Sequence, residues 1–279
     1  MNQKHFTKAV ASVVVEDSFW KPIMEVTRTQ MIPYQWKALN DELPDIEPSH
    51  CIRNFKVAAG LMDAEFDGRV FQDSDVAKWI EAASYSLEWH PDEELEKKID
   101  DTVDLIIMSQ QPDGYIGTYY SINGLEKRWT NVMRHHELYC AGHLIEGAIA
   151  YAEATGKKAM LEVAVKYADL IDRVFRVEHS AAFDTPGHEE IELALMKLYD
   201  YTKEERYRLL AEYFINTRGT SERDETYDFT DQEHMQSHKP VRMQNSAEGH
   251  CVRALYLYSG MADLARSTKE EKLGDICRQ

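Results

Sequence analysis

Basic residues are scarce relative to acidic ones. In 279 residues there are 32 Lys+Arg against 49 Asp+Glu, a formal net charge of −17. A nucleic-acid backbone or an anionic membrane would repel such a chain, so neither is expected as a partner. No apolar run approaches the ~20 residues of a membrane span. The opening residues from Met1 carry no long apolar segment and no small-residue cleavage site, which reads as unprocessed and cytoplasmic. Cysteine is sparse: Cys51, Cys140, Cys251 and Cys277 lie far apart and form no Cys-x-x-Cys. This excludes a disulfide framework and a zinc ribbon, and each thiol is expected to be buried and inert. Gly-x-Ser-x-Gly and the Gly-rich phosphate loop are also missing, so Ser-triad hydrolysis and nucleotide chemistry have no motif support.

Only 8 Pro and 13 Gly punctuate the chain, which favours long helices. Val10 to Val15 is a short strand-like lead-in, about 10–16, before Asp17 or Ser18 as a helix cap and Pro22 in the first turns. Apolar residues then recur at helical spacing. Val76, Trp79, Ile80, Ala83 and Leu87 follow the start signal Asp73-Ser74-Asp75. Leu95, Ile99, Val103 and Ile106 mark the next helix, which ends at the turn Gln110-Gln111-Pro112-Asp113-Gly114-Tyr115. A weak repeat links Thr155-Gly156-Lys157-Lys158 to Thr202-Lys203-Glu204-Glu205 at an offset of 47 residues, and Ser267-Thr268-Lys269-Glu270-Glu271 looks like the same turn again. Gly-His occurs at Gly142-His143, Gly187-His188 and Gly249-His250, each expected to open a repeat helix. Helix pairs of this length predict an α-solenoid or a closed α/α toroid. The C-terminal Glu270 to Gln279 reads as the first turns of a helix without a cap, which predicts that the chain is the front part of a longer protein.

The densest chemistry is Arg134-His135-His136-Glu137-Leu138-Tyr139-Cys140-Ala141-Gly142-His143. It lacks the second His of a helical zinc motif, and spacing alone favours a polar helix start with one satisfied core histidine. In a toroid, however, equivalent histidines of successive inner helices would face one cavity. A ring of His143, His188 and His250, neutral near pH 7, suits sugar hydroxyls. Tyr115, Tyr119, Tyr120 and Trp129 lie between helices and could form a sugar-stacking platform. His234 and His238 are placed on a solvated loop. On the residues alone, a sugar epimerase with His acid/base pairs and a non-catalytic helical scaffold both remain open.

The order of motifs resembles glycoside hydrolase family 127. The matching stretches are Asp17-Ser18-Phe19-Trp20-Lys21-Pro22, Ile52-Arg53-Asn54-Phe55, the segments from Phe71 to Trp79 and from Gln110 to Tyr115, His136 to Glu146, Gly187 to Leu195 and Gly249 to Tyr256. The resemblance implies an all-α (α/α)6 toroid, incomplete in this chain. Residues 1–279 would be the N-terminal portion of one α/α-barrel catalytic domain, without its remainder or the β-sandwich domains. It implies retaining hydrolysis of terminal β-L-arabinofuranosyl residues, hence an arabinose-containing glycan as partner. It also implies a zinc-bound cysteine nucleophile and a glutamate acid/base. By motif the family's sugar-contacting histidines fall on His136, His188 and His250, so the resemblance favours His136 where the repeat favoured His143. The family's zinc ligands, nucleophile and acid/base correspond to positions beyond Gln279. No catalytic residue and no bound zinc are therefore expected in this chain, which would be inactive alone. Uncovered helix faces would invite a homo-oligomer.

Overall fold

The structure, a computed structural model, describes residues 13–224 and 229–278. It contains no strand among them. Val13 to Glu16 has no regular secondary structure, and the rest of the strand-like lead-in lies outside the described residues.

The first helices are α1 (Trp20–Val26) and α2 (Ile32–Leu39), joined by a π-helical turn at Thr27–Met31. Asp17 caps the start, its Oδ1 accepting from the Trp20 N–H at 2.6 Å. A short α3 (Cys51–Ala58) precedes the long pair α4 (Asp73–Trp89) and α5 (Glu93–Ser109). Asp92 N-caps α5 through the Leu95 N–H, and three acidic residues in its first turn complement the helix dipole. Asp73 turns away from its own helix: it accepts from both the N–H and the hydroxyl of Thr118, at the start of α6 (Thr118–Asn123).

The repeat emerges as three helix pairs. They are α7 (Glu137–Thr155) with α8 (Ala159–Asp172), α9 (Ile191–Thr202) with α10 (Glu205–Thr217), and α12 (Cys251–Thr268) with α13 (Glu271–Arg278). The first member of each pair ends on a residue in the left-handed region: Gly156, Lys203 and Lys269. That conformation lets the chain reverse within a few residues. Between the last two pairs lies a short α11 (Phe229–His234).

Packing runs from α2 to α4, α7, α9 and α12 in an inner row, and from α5 to α8 and α10 in an outer one. Between the rows sits one core, including Ile80, Ile99, Ile106, Leu138, Ile145, Tyr167, Leu195, Phe214 and Leu257. No extensive contact joins α12 back to α2 among the described residues. The architecture is thus an all-helical α/α arc, the open counterpart of a toroid. Among the described residues no helix is long and apolar enough to cross a membrane.

Three expectations need correction. Gly142-His143 does not open a helix, because α7 starts at Glu137 and carries the pair in its second turn. The aromatic platform is mostly core: Tyr115, Tyr120 and Trp129 are buried, and Tyr115 and Trp129 pack edge to face. The buried Glu137 draws them in, accepting from the Tyr115 hydroxyl and the Trp129 N–H. Burial pushes its carboxyl up to about 8. Of the four thiols expected to be buried only Cys51 is; Cys140 and Cys277 are half-buried, and Cys251, at the first position of α12, is exposed.

Candidate functional site

His136 is the N-cap of α7 and His250 the N-cap of α12; His188 lies just before Glu190, the N-cap of α9. Three successive inner helices thus deliver their first residues to the same end of the arc. The rings of His136 and His188 are 5.6 Å apart between centroids, and those of His188 and His250 are 6.4 Å apart. The motif-based set therefore converges. His143 does not join it, because it sits one layer deeper and is buried.

Local backbone chemistry aims the rings. His136 has φ of 57°, a left-handed conformation that costs energy outside glycine and turns the chain sharply into α7. Its Nδ1 lies 2.7 Å from the Arg134 carbonyl, and the Nδ1 of His188 lies 2.7 Å from the Glu189 carbonyl. Carbonyl oxygens only accept, so Nδ1 carries the proton in both rings. Each Nε2 is then left as a hydrogen-bond acceptor. Burial lowers the pKa of both, that of His188 to about 3, helped by the nearby Arg253. Both rings are thus held in the neutral form, which can accept a hydrogen bond.

Tyr139 and Tyr256 form the floor between these histidines and the deeper layer. The ring centroid of Tyr139 is 4.4 Å from His188 and 4.6 Å from His143, and that of Tyr256 is 5.8 Å from each. Lys78 donates to the Tyr139 hydroxyl at 2.8 Å. Beneath the floor His143, Glu146 and Glu190 meet, while Lys197 donates to Glu146. Burial, with Glu146 beside it, pushes the Glu190 carboxyl well above its usual range. Burial opposes ionisation of Glu146, but His143, Glu190 and Lys197 around it hold its pKa low.

Two loops carry His188 and His250, and one buried side chain holds both. Arg218, fully buried at the end of α10, donates to the Pro186 and Met235 carbonyls at 3.0 Å each. It also pairs with Glu189 at 3.1 Å and Glu192 at 3.2 Å. From the second loop, the Gln236 amide donates to the Glu248 carbonyl at 2.8 Å, fixing the approach to His250. Gly187 permits the close approach of the first loop to the segment before His136. A Cβ there would stand 1.9 Å from the Met133 carbonyl oxygen.

Sequence reasoning placed His234 in a solvated loop; its side chain is exposed as expected, but it ends the short helix α11 rather than lying in a loop, and its ring is 5.1 Å from that of His250. It did not single out Tyr139, Tyr256 or Arg253, although all three stand within quoted motifs. Arg253, half-buried on α12, has no partner for its Nε.

The family profile for the β-L-arabinofuranosidase GH127 catalytic domain matches residues 12–279. The chain is 40% identical to a non-reducing end β-L-arabinofuranosidase of Bifidobacterium longum subsp. longum, over 96% of this chain and 45% of that protein. It superposes on the crystal structure of a GH127 β-L-arabinofuranosidase from Geobacillus stearothermophilus T6. The TM-score is 0.91 at 50% identity, over 95% of this chain and 44% of the other. A second GH127 β-arabinofuranosidase structure gives a TM-score of 0.86 at 37% identity, over 96% of this chain and 42% of the other. The chain thus spans less than half the length of these relatives. Within that span, fold, motif order and sequence agree, and the chain belongs to the GH127 family of β-L-arabinofuranosidase catalytic domains.

Proposed function

We propose that this chain supplies half of the sugar pocket of a retaining β-L-arabinofuranosidase, which removes terminal β-L-arabinofuranosyl residues from glycans. The convergence of His136, His188 and His250 carries the reading. The His136 and His188 imidazoles, each with its Nδ1 proton on a backbone carbonyl, present Nε2 to accept from furanose hydroxyls, and the Tyr139 and Tyr256 rings offer the sugar an apolar floor. The open end of the arc leaves one side of the pocket to other residues.

The resemblance also implies zinc-thiolate chemistry, and the residues present do not fit it. Among the described residues, the only group with metal-ligand spacing is His143, Glu146 and Glu190, which contains no cysteine. Cys140 is near the pocket, but burial holds its thiol well above the ordinary range, and its Sγ is 3.5 Å from the Phe71 carbonyl. In our reading the nucleophile, its zinc and the acid/base lie outside this chain, and no step is routed through them here. This chain's residues bind and orient the sugar, and the chain alone is inactive. A histidine-based epimerase is disfavoured, because an imidazole held to about 3 is too weakly basic to shuttle protons near neutrality.

The test is L-arabinose binding to this chain by ligand-observed NMR, with hydrolysis of an aryl β-L-arabinofuranoside as the second readout. Saturable binding lost in His188→Ala, with no hydrolysis, is expected. Hydrolysis by this chain would overturn the assignment of the chemistry to other residues. Absence of any sugar binding would overturn the pocket.

A further inference from the structure

Beneath the tyrosine floor lie three side chains that the sugar pocket does not use. They come from two places in the chain: His143 and Glu146 from the second and third turns of α7, and Glu190 from the N-cap of α9. All three are buried, at 4%, 6% and 0% exposure. Four of their polar atoms have no hydrogen-bond partner: both ring nitrogens of His143 and both carboxylate oxygens of Glu190. Leaving so many polar atoms unpaired in one spot is costly, which marks the place as built for something else.

The geometry points to a divalent metal ion held by His143 Nδ1, Glu146 Oε2 and Glu190 Oε1. We propose this as a cation site separate from the zinc-thiolate centre of the family. The Nδ1 of His143 is 3.4 Å from Glu146 Oε2 and 3.5 Å from Glu190 Oε1. A tetrahedral ion with bonds of about 2.1 Å needs ligand atoms about 3.4 Å apart. One representative ligand atom from each residue lies within 4.8 Å of the other two. Those contacts are too long for good hydrogen bonds and the right length for the edges of a coordination polyhedron.

The surroundings agree. Lys197 donates to the other oxygen of Glu146, Oε1, as supporting groups behind metal-bound carboxylates do. Glycine at 142 lets Glu190 reach in, since a Cβ there would stand 2.5 Å from Glu190 Cγ. One nitrogen and two carboxylate oxygens, without sulfur, suit Mn²⁺, Co²⁺ or Zn²⁺ rather than a soft ion. The ion would pin α7 to α9 directly below the histidines. The proposal does not depend on the glycosidase reading. It departs from the expectation that metal ligands lie wholly beyond this chain.

The chain, stripped with chelator, is titrated with Mn²⁺ by electron paramagnetic resonance and with Co²⁺ by absorption. One ion per chain is expected, with Co²⁺ d–d bands, no thiolate charge-transfer band and a rise in Tm. Glu190→Gln is nearly isosteric and keeps a donor toward Glu146 in place of the protonated carboxyl, so it should fold with a metal-free Tm close to the parent's. It should bind at least tenfold more weakly and show no metal-induced rise in Tm. His143→Gln should do the same and serves if the first variant misfolds. Absence of binding at millimolar Mn²⁺, full binding by either folded variant, or a thiolate band would each overturn the site.

Discussion

Replacing Arg218 by methionine tests whether one buried cation organises the loops that carry His188 and His250. The substitution keeps volume and removes the charge, leaving Glu189 and Glu192 buried without their partner. Two backbone carbonyls, of Pro186 and Met235, lose a donor as well. Breaking a buried pair from one side costs about 3–5 kcal/mol, which lowers Tm by roughly 10 °C in a chain of this size. The pH dependence is more diagnostic. Burial already raises Glu189 from 4.5 to about 7 with Arg218 present. A carboxyl whose folded pKa is raised costs stability as pH climbs from the unfolded value to the folded one. In the parent that loss is complete a little above pH 7. Without the guanidinium the folded pKa rises further, so the variant keeps losing stability above pH 7, by up to about 1.4 kcal/mol per pH unit for one proton. Urea denaturation of both proteins at pH 7 and pH 9 measures the gap. It should widen at pH 9, and adding Glu189→Gln and Glu192→Gln to the variant should recover most of the loss. A gap under about 1 kcal/mol at pH 7, or one that does not grow with pH, refutes the reasoning.

Other outcomes follow from the same geometry. The His188 ring should titrate near pH 3 by NMR, so its burial makes acidification below about 6.5 destabilising; a midpoint above pH 5.5 contradicts the neutral-acceptor role. His136→Ala and His250→Ala should weaken L-arabinose binding about tenfold or more while shifting Tm little, and a large Tm drop in both would mean they serve the core instead. Gly187→Ala must push the His188 loop off the Met133 carbonyl; it should cost about 2 kcal/mol in urea denaturation and also weaken sugar binding. Phe214→Ala, in the fully buried layer between α8 and α10, should cost about 3–5 kcal/mol without changing sugar affinity in the protein that remains folded.

The helix pairs were legible because their cause is local. Apolar spacing and the reversals at Gly156, Lys203 and Lys269 are written in neighbouring residues. The histidine ring was half legible. Gly-His spacing found His188 and His250, but it pointed to His143 because nothing local reveals that the chain turns into α7 through a left-handed His136. The aromatic platform failed because Glu137 holds Tyr115 and Trp129 inward, a link between a loop and a helix start that periodicity does not encode. Arg218 was invisible for the same reason: its partners Pro186, Glu189, Glu192 and Met235 lie 17 to 32 positions away. Cys251 looked like any buried thiol until α12 placed it on an exposed face.

The open arc formed by these residues also governs how this stretch of chain, taken by itself, breathes. In a closed ring every inner helix has two neighbours, whereas here α12 packs on α9 along the row and has α13 and α10 behind it. Helical arrays of this kind owe their stability to neighbour interfaces, so opening starts where an interface is missing. Amide protons should therefore exchange fast in α13, held by Leu273 and the Arg242–Glu270 pair, and progressively more slowly through α12 and α9 into α7. His250 rides on the fast-exchanging end and His136 on the slow one, so the two sides of the histidine cluster differ in rigidity.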